Sequence, residues 1–308
     1  MSVDTPDQLP VTRDMEAARD SIRIIRQLKP GEFDQERIEE LLFPILKGHL
    51  VEGTRFHPGV NLFRARITDR PENISEIWYP PNQRLLPGRA NLRSCPILYT
   101  STHQMVAINE VHPKAGSEVS IACWKTTAPL MTNHAGYARA AFEVIGSSRK
   151  YVGWDGKDVS IPGNDENREV HEFLGEIFAR PIANEGEDYY KLTMAIAEKL
   201  YADDLFGGLI YPSIGFKANA DNLAIKAPFA DLNLKLERIE HFRIDDTSDA
   251  SFSVTYLDSA IVAEHDGRIQ WRGFGRGWRL SPGMSLVLSV ENGEWVARNS
   301  TGEMVPHT

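Results

Sequence analysis

Residues Gly88–Glu110 read GRANLRSCPILYTSTHQMVAINE, and the rest of the chain can be placed relative to them. Gly88-Arg89-Ala90-Asn91 is turn chemistry that sets one fixed cation beside one amide. Pro96–Thr100 predicts a short strand carrying Tyr99 near its end. Ser101 and Gln104 have the spacing of a capping box, in which two side chains satisfy the first backbone donors of a helix. Glu110 falls two turns into that helix, three and four residues past Ala107 and Val106, and such neighbours predict an inward face. A carboxylate there needs a cation, a hydrogen-bond donor or a ligand. An arginine, an asparagine, a tyrosine and a glutamate thus lie on one turn–strand–helix unit, which makes it a candidate site.

The 308 residues suffice for one large domain or one domain with extensions. Hydrophobic residues at 42% and charged residues at 25% are the balance of an ordinary globular protein. A net charge of −9 argues against a large nucleic-acid surface, which needs a basic excess. Anionic small molecules stay open, because a few placed arginines serve them. No apolar run approaches the roughly 18–20 residues that span a bilayer, so no membrane association is expected. The opening MSVDTPDQLPVTRD is acidic and lacks the apolar segment of a secretory signal. Cys95 and Cys123 sit in apolar, strand-like contexts, which predicts buried reduced thiols and a cytoplasmic address.

Taken in order, residues 1–11 read as a flexible lead. Arg13–Leu28 places Ala17, Ile22, Ile24 and Ile25 roughly on one helical side, with Pro30-Gly31 as the stop. Asp34–Leu50 predicts a second helix, kinked at Pro44. Asn61–Ile67 alternates as a strand with Leu62, Arg64 and Arg66 on one face. Two arginines on a strand face mean either an exposed edge or an anion site. Val119–Lys125 predicts a strand; Tyr137–Ile145, Glu166–Ala179 and Asp188–Ala202 predict helices, with Arg149–Gly163 a loop or hairpin. Leu209–Tyr211 predicts a brief buried strand that Pro212 ends, presenting Ser213 on a turn. Asn222–Ala227 and Leu234–Phe242 read as strands. From Thr247 the pattern is all strand: Ser251–Ala263, Arg268–Trp271, Ser285–Val290 and Glu294–Arg298, separated by Asp266-Gly267 and Asn292-Gly293 turns. Interspersed helices and strands without strict alternation give an α+β class.

Several motifs carry no chemistry. The glycines of Gly273–Gly277 are followed by no helix, so they read as a β-turn rather than a dinucleotide fingerprint. His171-Glu172 opens HEFLG, without the second histidine of a zinc protease helix. Nine scattered histidines and two distant cysteines predict no metal site. Ser147 lacks the frame of a nucleophile elbow.

Three separated stretches together resemble the RES domain family, named for an arginine, a glutamate and a serine. They are Leu62-Phe63-Arg64-Ala65-Arg66; the Gly88–Asn91 turn followed by Leu98–Ser101 and Ala107–Glu110; and Gly208–Ser213, preceded by the helix that carries Tyr190, Thr193 and Ala197. The resemblance covers roughly residues 55–242. It departs from the family where the usual GRWN tryptophan is Ala90. The organisation it implies is a helical extension over 1–54, an ADP-ribosyltransferase-like RES domain over 55–246, and a β-rich appendage over 247–308.

The resemblance also implies chemistry: consumption of NAD+ as substrate, with inorganic phosphate as a possible co-substrate, often by a toxin held in check by a separate antitoxin protein. Arg64, Glu110 and Ser213 are then the catalytic set, and Arg64, Arg89, Asn91, Tyr99, Glu110 and Ser213 the binding set. Breaking the nicotinamide–ribose bond develops positive charge on the ribose, which Glu110 is suited to stabilise. Arg64 and Arg89 suit the diphosphate, Tyr99 the nicotinamide or ribose, and Ser213 and Asn91 a phosphate or amide. No base partner is identifiable beside Ser213, which disfavours a serine nucleophile. Three readings stay open: an NAD+ phosphorylase or glycohydrolase, an ADP-ribosyltransferase acting on a protein, and a silent module that binds ADP-ribose-like ligands.

Overall fold

The computed structural model describes residues 14–32, 34–50, 53–81, 88–92, 95–149, 165–180, 188–201, 204–248, 251–263, 266–281 and 283–308. The expected flexible lead and most of the Arg149–Gly163 loop lie outside them. In chain order the first elements are α1 (Met15–Gln27), α2 (Gln35–Leu46), β1 (Gly53–Phe56), β2 (Asn61–Ile67), β3 (Ile97–Ser101), α3 (Gln104–Glu110) and β4 (Glu118–Thr126). There follow β5 (Leu130–His134), α4 (Arg139–Val144), α5 (Asp165–Ala179), α6 (Tyr189–Leu200), β6 (Gly208–Pro212), β7 (Asp221–Lys226) and α7 (Ala227–Asn233). The chain closes with β8 (Leu234–Ser248), β9 (Ser251–Ala263), β10 (Ile269–Trp271), β11 (Trp278–Leu280), β12 (Val287–Glu291) and β13 (Glu294–Arg298). The class is α+β. Among the described residues no helix is long and apolar enough to cross a membrane.

The chain divides into two compact units, each drawn from separate stretches. One comprises Met1–Arg55, Leu86–Cys95 and Met131–Asn219; the other Phe56–Leu85, Pro96–Leu130 and Ala220–Thr308.

In the first unit, α1 and α2 begin where Asp14 accepts the Ala17 N–H at 3.1 Å and Asp34 accepts the Glu36 N–H at 2.8 Å. These caps satisfy donors that a helix start leaves open. Ala18, Ile22 and Ile25 of α1, and Ile38, Leu41, Leu42 and Ile45 of α2, recur at helical spacing and are buried. Pro44 sits inside α2, which continues to Leu46. Arg19 pairs with Glu169 at 2.8 Å and Arg26 with Glu176 at 2.7 Å, tying α1 to α5. Such exposed pairs contribute little in water, so the apolar stripes hold these helices in place. β5 and β6 run parallel, with Thr132 opposite Gly208 and His134 opposite Ile210. Parallel neighbours need a long crossover, which α4, α5 and α6 supply. α5 crosses Ala138 so closely that a Cβ on Gly175 would lie 2.0 Å from the Ala138 Cβ.

The second unit is built on strands in the order β7-β3-β2-β4-β8-β9-β10, with β11 also on β9 and a separate β12–β13 hairpin. Its neighbouring strands all pair antiparallel. Alternation along β2 sends Phe63 and Ala65 to one face and Leu62, Arg64 and Arg66 to the other. Ala65 joins Val119, Ile121, Phe242 and Ile244 in a core covered by Ala107 and Ile108 of α3 and by Phe274 and Trp278. On the opposite face Ala122, Trp124, Ile239 and Ala260 pack with Ile77 and Ile269. β8 and β9 form one long hairpin that runs straight through residue 247, where the composition changes.

Three local expectations are corrected. Ser101 and Gln104 form no capping box: Ser101 ends β3, and His103 caps α3 through Nδ1, which accepts the Met105 N–H at 3.2 Å. Ser101 stays extended in the β3–β7 ladder opposite Asn222, so its hydroxyl points across the strands instead of back onto the helix. Glu110 ends α3 exposed rather than on the inward face, because the burial stripe is Val106, Ala107 and Ile108 and turns away one position earlier. Ser213 is fully buried rather than presented. Periodicity also misses β5, β11 and the short α7, segments too brief to show a period. Gly273 and Gly275 do have φ near +67°, as a turn requires, and the Gly273 N–H donates to Asp258 at 3.0 Å.

Candidate functional site

Arg64 is the most unusual side chain of the second unit. Its Nη1 donates to the Tyr99 carbonyl oxygen at 2.9 Å, while Nε is buried and meets no acceptor among the described residues. Burial, with the neighbouring Arg66 adding to it, pushes the guanidinium down to about 9, so the cation persists at neutral pH. Burial also lowers Arg66. Among the described residues neither arginine has a carboxylate partner, although the chain carries many acids. A buried charge without a counter-ion is costly. Arg64 makes no ion pair with Glu110.

Glu110 is held from a different side. Its Oε1 accepts the Asn222 Nδ2–H at 2.9 Å, and the Ser101 hydroxyl donates to Asn222 Oδ1 at 2.6 Å. Asn222 and Ser101 are both buried, at 3% exposure, while the glutamate they support faces solvent. β3 links the two halves of this arrangement. It receives Arg64 at the Tyr99 carbonyl and anchors Asn222 and Glu110 through Ser101, two residues and about 7 Å further along. The sequence reading missed Asn222; an amide beside Asp221 at a strand start was the only signal for it.

The remaining candidates belong to the first unit. Arg89 donates from Nη1 to the Phe178 carbonyl at 2.6 Å and from Nη2 to the Arg180 carbonyl at 3.0 Å, so its fork caps the end of α5. Asn91 is buried and closes the turn, its N–H donating to the Gly88 carbonyl at 3.1 Å; Ala90 beside it is fully buried. Ser213 Oγ accepts the Phe216 N–H at 3.3 Å, and its carbonyl accepts the Ala218 N–H at 2.7 Å. Lys217 and Ala218 take positive φ there, at 49° and 56°, so a tight turn directly follows the serine. His171 is a satisfied core histidine: its ring bonds the Tyr137 carbonyl at 2.7 Å. The structure thus groups Arg64, Tyr99 and Glu110 with Asn222 in one unit, and Arg89, Asn91 and Ser213 in the other.

The second unit of this α+β protein thus combines two half-buried arginines, without a carboxylate partner among the described residues, and a solvent-facing carboxylate held by Asn222. Residues 61–245, more than half of the chain, match the RES domain, and the chain belongs to that family. No curated protein and no solved structure matches it.

Proposed function

We propose that this chain degrades NAD+, cleaving the bond between nicotinamide and ribose, as a toxin or defence effector. The observation that carries the reading is the Arg64–Arg66 pair, cations with no acid of their own among the described residues. Membership of the RES family supports an NAD-related role. In the proposed reaction the ribose C1–nitrogen bond breaks and its electron pair leaves with neutral nicotinamide. An oxygen of inorganic phosphate, or of water with loss of a proton, forms the new bond to the same carbon. Arg64 would hold diphosphate oxygens, and Glu110 would stabilise the positive charge on the ribose or hold its hydroxyls. Tyr99 would flank the nicotinamide ribose. Ser213 and Asn91 would serve as hydrogen-bonding groups, and Arg89 would order the Gly88–Asn91 turn from the end of α5.

The test is incubation of the purified protein with NAD+, with and without phosphate, followed by chromatography, with Glu110→Ala as control. Nicotinamide release that needs phosphate and disappears in the control establishes a phosphorylase. Release without phosphate establishes a hydrolase, and label carried from NAD+ onto a protein establishes a transferase. NAD+ that stays intact in every condition refutes the proposal. An antitoxin, if one exists, would be found by co-purification from the native host.

A further inference from the structure

We infer that Asn222 is the positioning residue for Glu110, with Ser101 holding the far end of its amide; this rests on the role proposed for Glu110 above. A carboxylate only accepts hydrogen bonds, so the atom of Asn222 facing Glu110 Oε1 at 2.9 Å must be its NH2 group. The other end of the amide is then an acceptor, and it meets the Ser101 hydroxyl at 2.6 Å. The acceptor-only carboxylate fixes this orientation, and the Ser101 hydroxyl, able to donate or accept, donates to the oxygen so placed.

The support is rigid because Ser101 and Asn222 stand directly opposite each other in the β3–β7 ladder. Strand pairing, not side-chain flexibility, sets their separation. Both are buried, so water does not compete for the amide. Glu110, by contrast, is the last residue of α3 and exposed, and an unsupported glutamate there would sample many rotamers. A buried amide behind an exposed carboxylate leaves the acid accessible to a ligand while restricting where it stands.

The test replaces Asn222 by Asp, which keeps the shape and the Ser101 bond but sets a second acceptor against Glu110. With wild-type turnover of NAD+ in hand, Asn222→Asp should lower kcat by about 100-fold, the scale of a misplaced reacting group, with KM little changed. Ser101→Ala should give a smaller loss in kcat, and Asn222→Gln a partial recovery relative to Asn222→Asp. A folded Asn222→Asp protein with wild-type kcat overturns the inference. If that variant does not fold, Asn222→Ala, which removes the donor together with the Ser101 acceptor, carries the same expectation. Absence of turnover in the wild type would refute the functional reading alone. Positioning is then decided by crystal structures of wild type and variant: a displaced Glu110 carboxylate sustains it, and an unmoved one overturns it.

Discussion

Arg64 reaches Tyr99 through a single bond, Nη1 to the main-chain oxygen at 2.9 Å, and among the described residues that carbonyl is its one hydrogen-bond partner. A neutral oxygen does not balance a buried cation. The unliganded protein therefore bears an unfavourable electrostatic term at this position, and a bound anion would remove it.

Arg64→Met should separate stability from function. The apolar side chain relieves the buried charge, so the unliganded variant should be more stable by about 1 kcal/mol or more. For a chain of this size that is a rise of about 2 °C or more in Tm. The further rise that NAD+ produces in the wild type should vanish. Thermal melts of both proteins with and without NAD+ check this, and a variant that loses several degrees would refute it.

Gly175→Ala should destabilise the first unit. The new methyl would stand 2.0 Å from the Ala138 Cβ and 3.2 Å from its backbone, so chain as well as side chain must shift. Overpacking of this kind costs about 1–3 kcal/mol. Urea unfolding measures it, and Ala138→Gly in the same protein should restore most of the loss.

His171 should make folding sensitive to mild acid. Burial holds its imidazole below the usual histidine value, although the Tyr137 carbonyl and Glu172 oppose this. The unfolded chain therefore takes up a proton before the folded one does as pH falls. Its contribution is complete above the unfolded value, about 6.5, and is lost as pH drops from there through the folded value. Glu240, raised by burial against the pull of Arg238, has the opposite sign at lower pH, so a control is needed. Tm at pH 7.5 minus Tm at pH 5.5 should be smaller in His171→Gln than in the wild type.

Cys123 should resist alkylation in the native state. It is buried in β4, and burial pushes its thiol up, so little thiolate is available to react. Cys95 is partly exposed and should be labelled first. Mass spectrometry after brief treatment with iodoacetamide, with and without denaturant, distinguishes the two. Rapid native labelling at Cys123 would contradict its placement.

Much of the architecture was legible in the sequence because it depends on local periodicity. Leu62, Arg64 and Arg66 share a strand face as alternation requires, and the apolar stripe of Ile38, Leu41, Leu42 and Ile45 forms a helix as expected. β9, β10 and β13 fall where turn residues bracket apolar runs. The RES family too was readable from short motifs in order. The failures are of another kind. Ser101 has capping-box spacing, but a ladder partner 121 residues away takes its hydroxyl first. Ser213 follows a proline as a turn serine does, but its burial depends on packing that no local pattern records.

What the sequence determined by itself is therefore the order of elements, the faces of the longer strands and helices, and the residue types that could carry chemistry. These follow from backbone geometry and from contacts a few residues apart. Tertiary structure alone decided which of those side chains are supported and which are left open. It gave Arg89 two helix-end carbonyls, left Arg64 with one neutral oxygen and no acid among the described residues, and placed Asn222 behind Glu110. Those outcomes depend on strand register and on burial, which set local dielectric and partner distance between residues far apart in the chain.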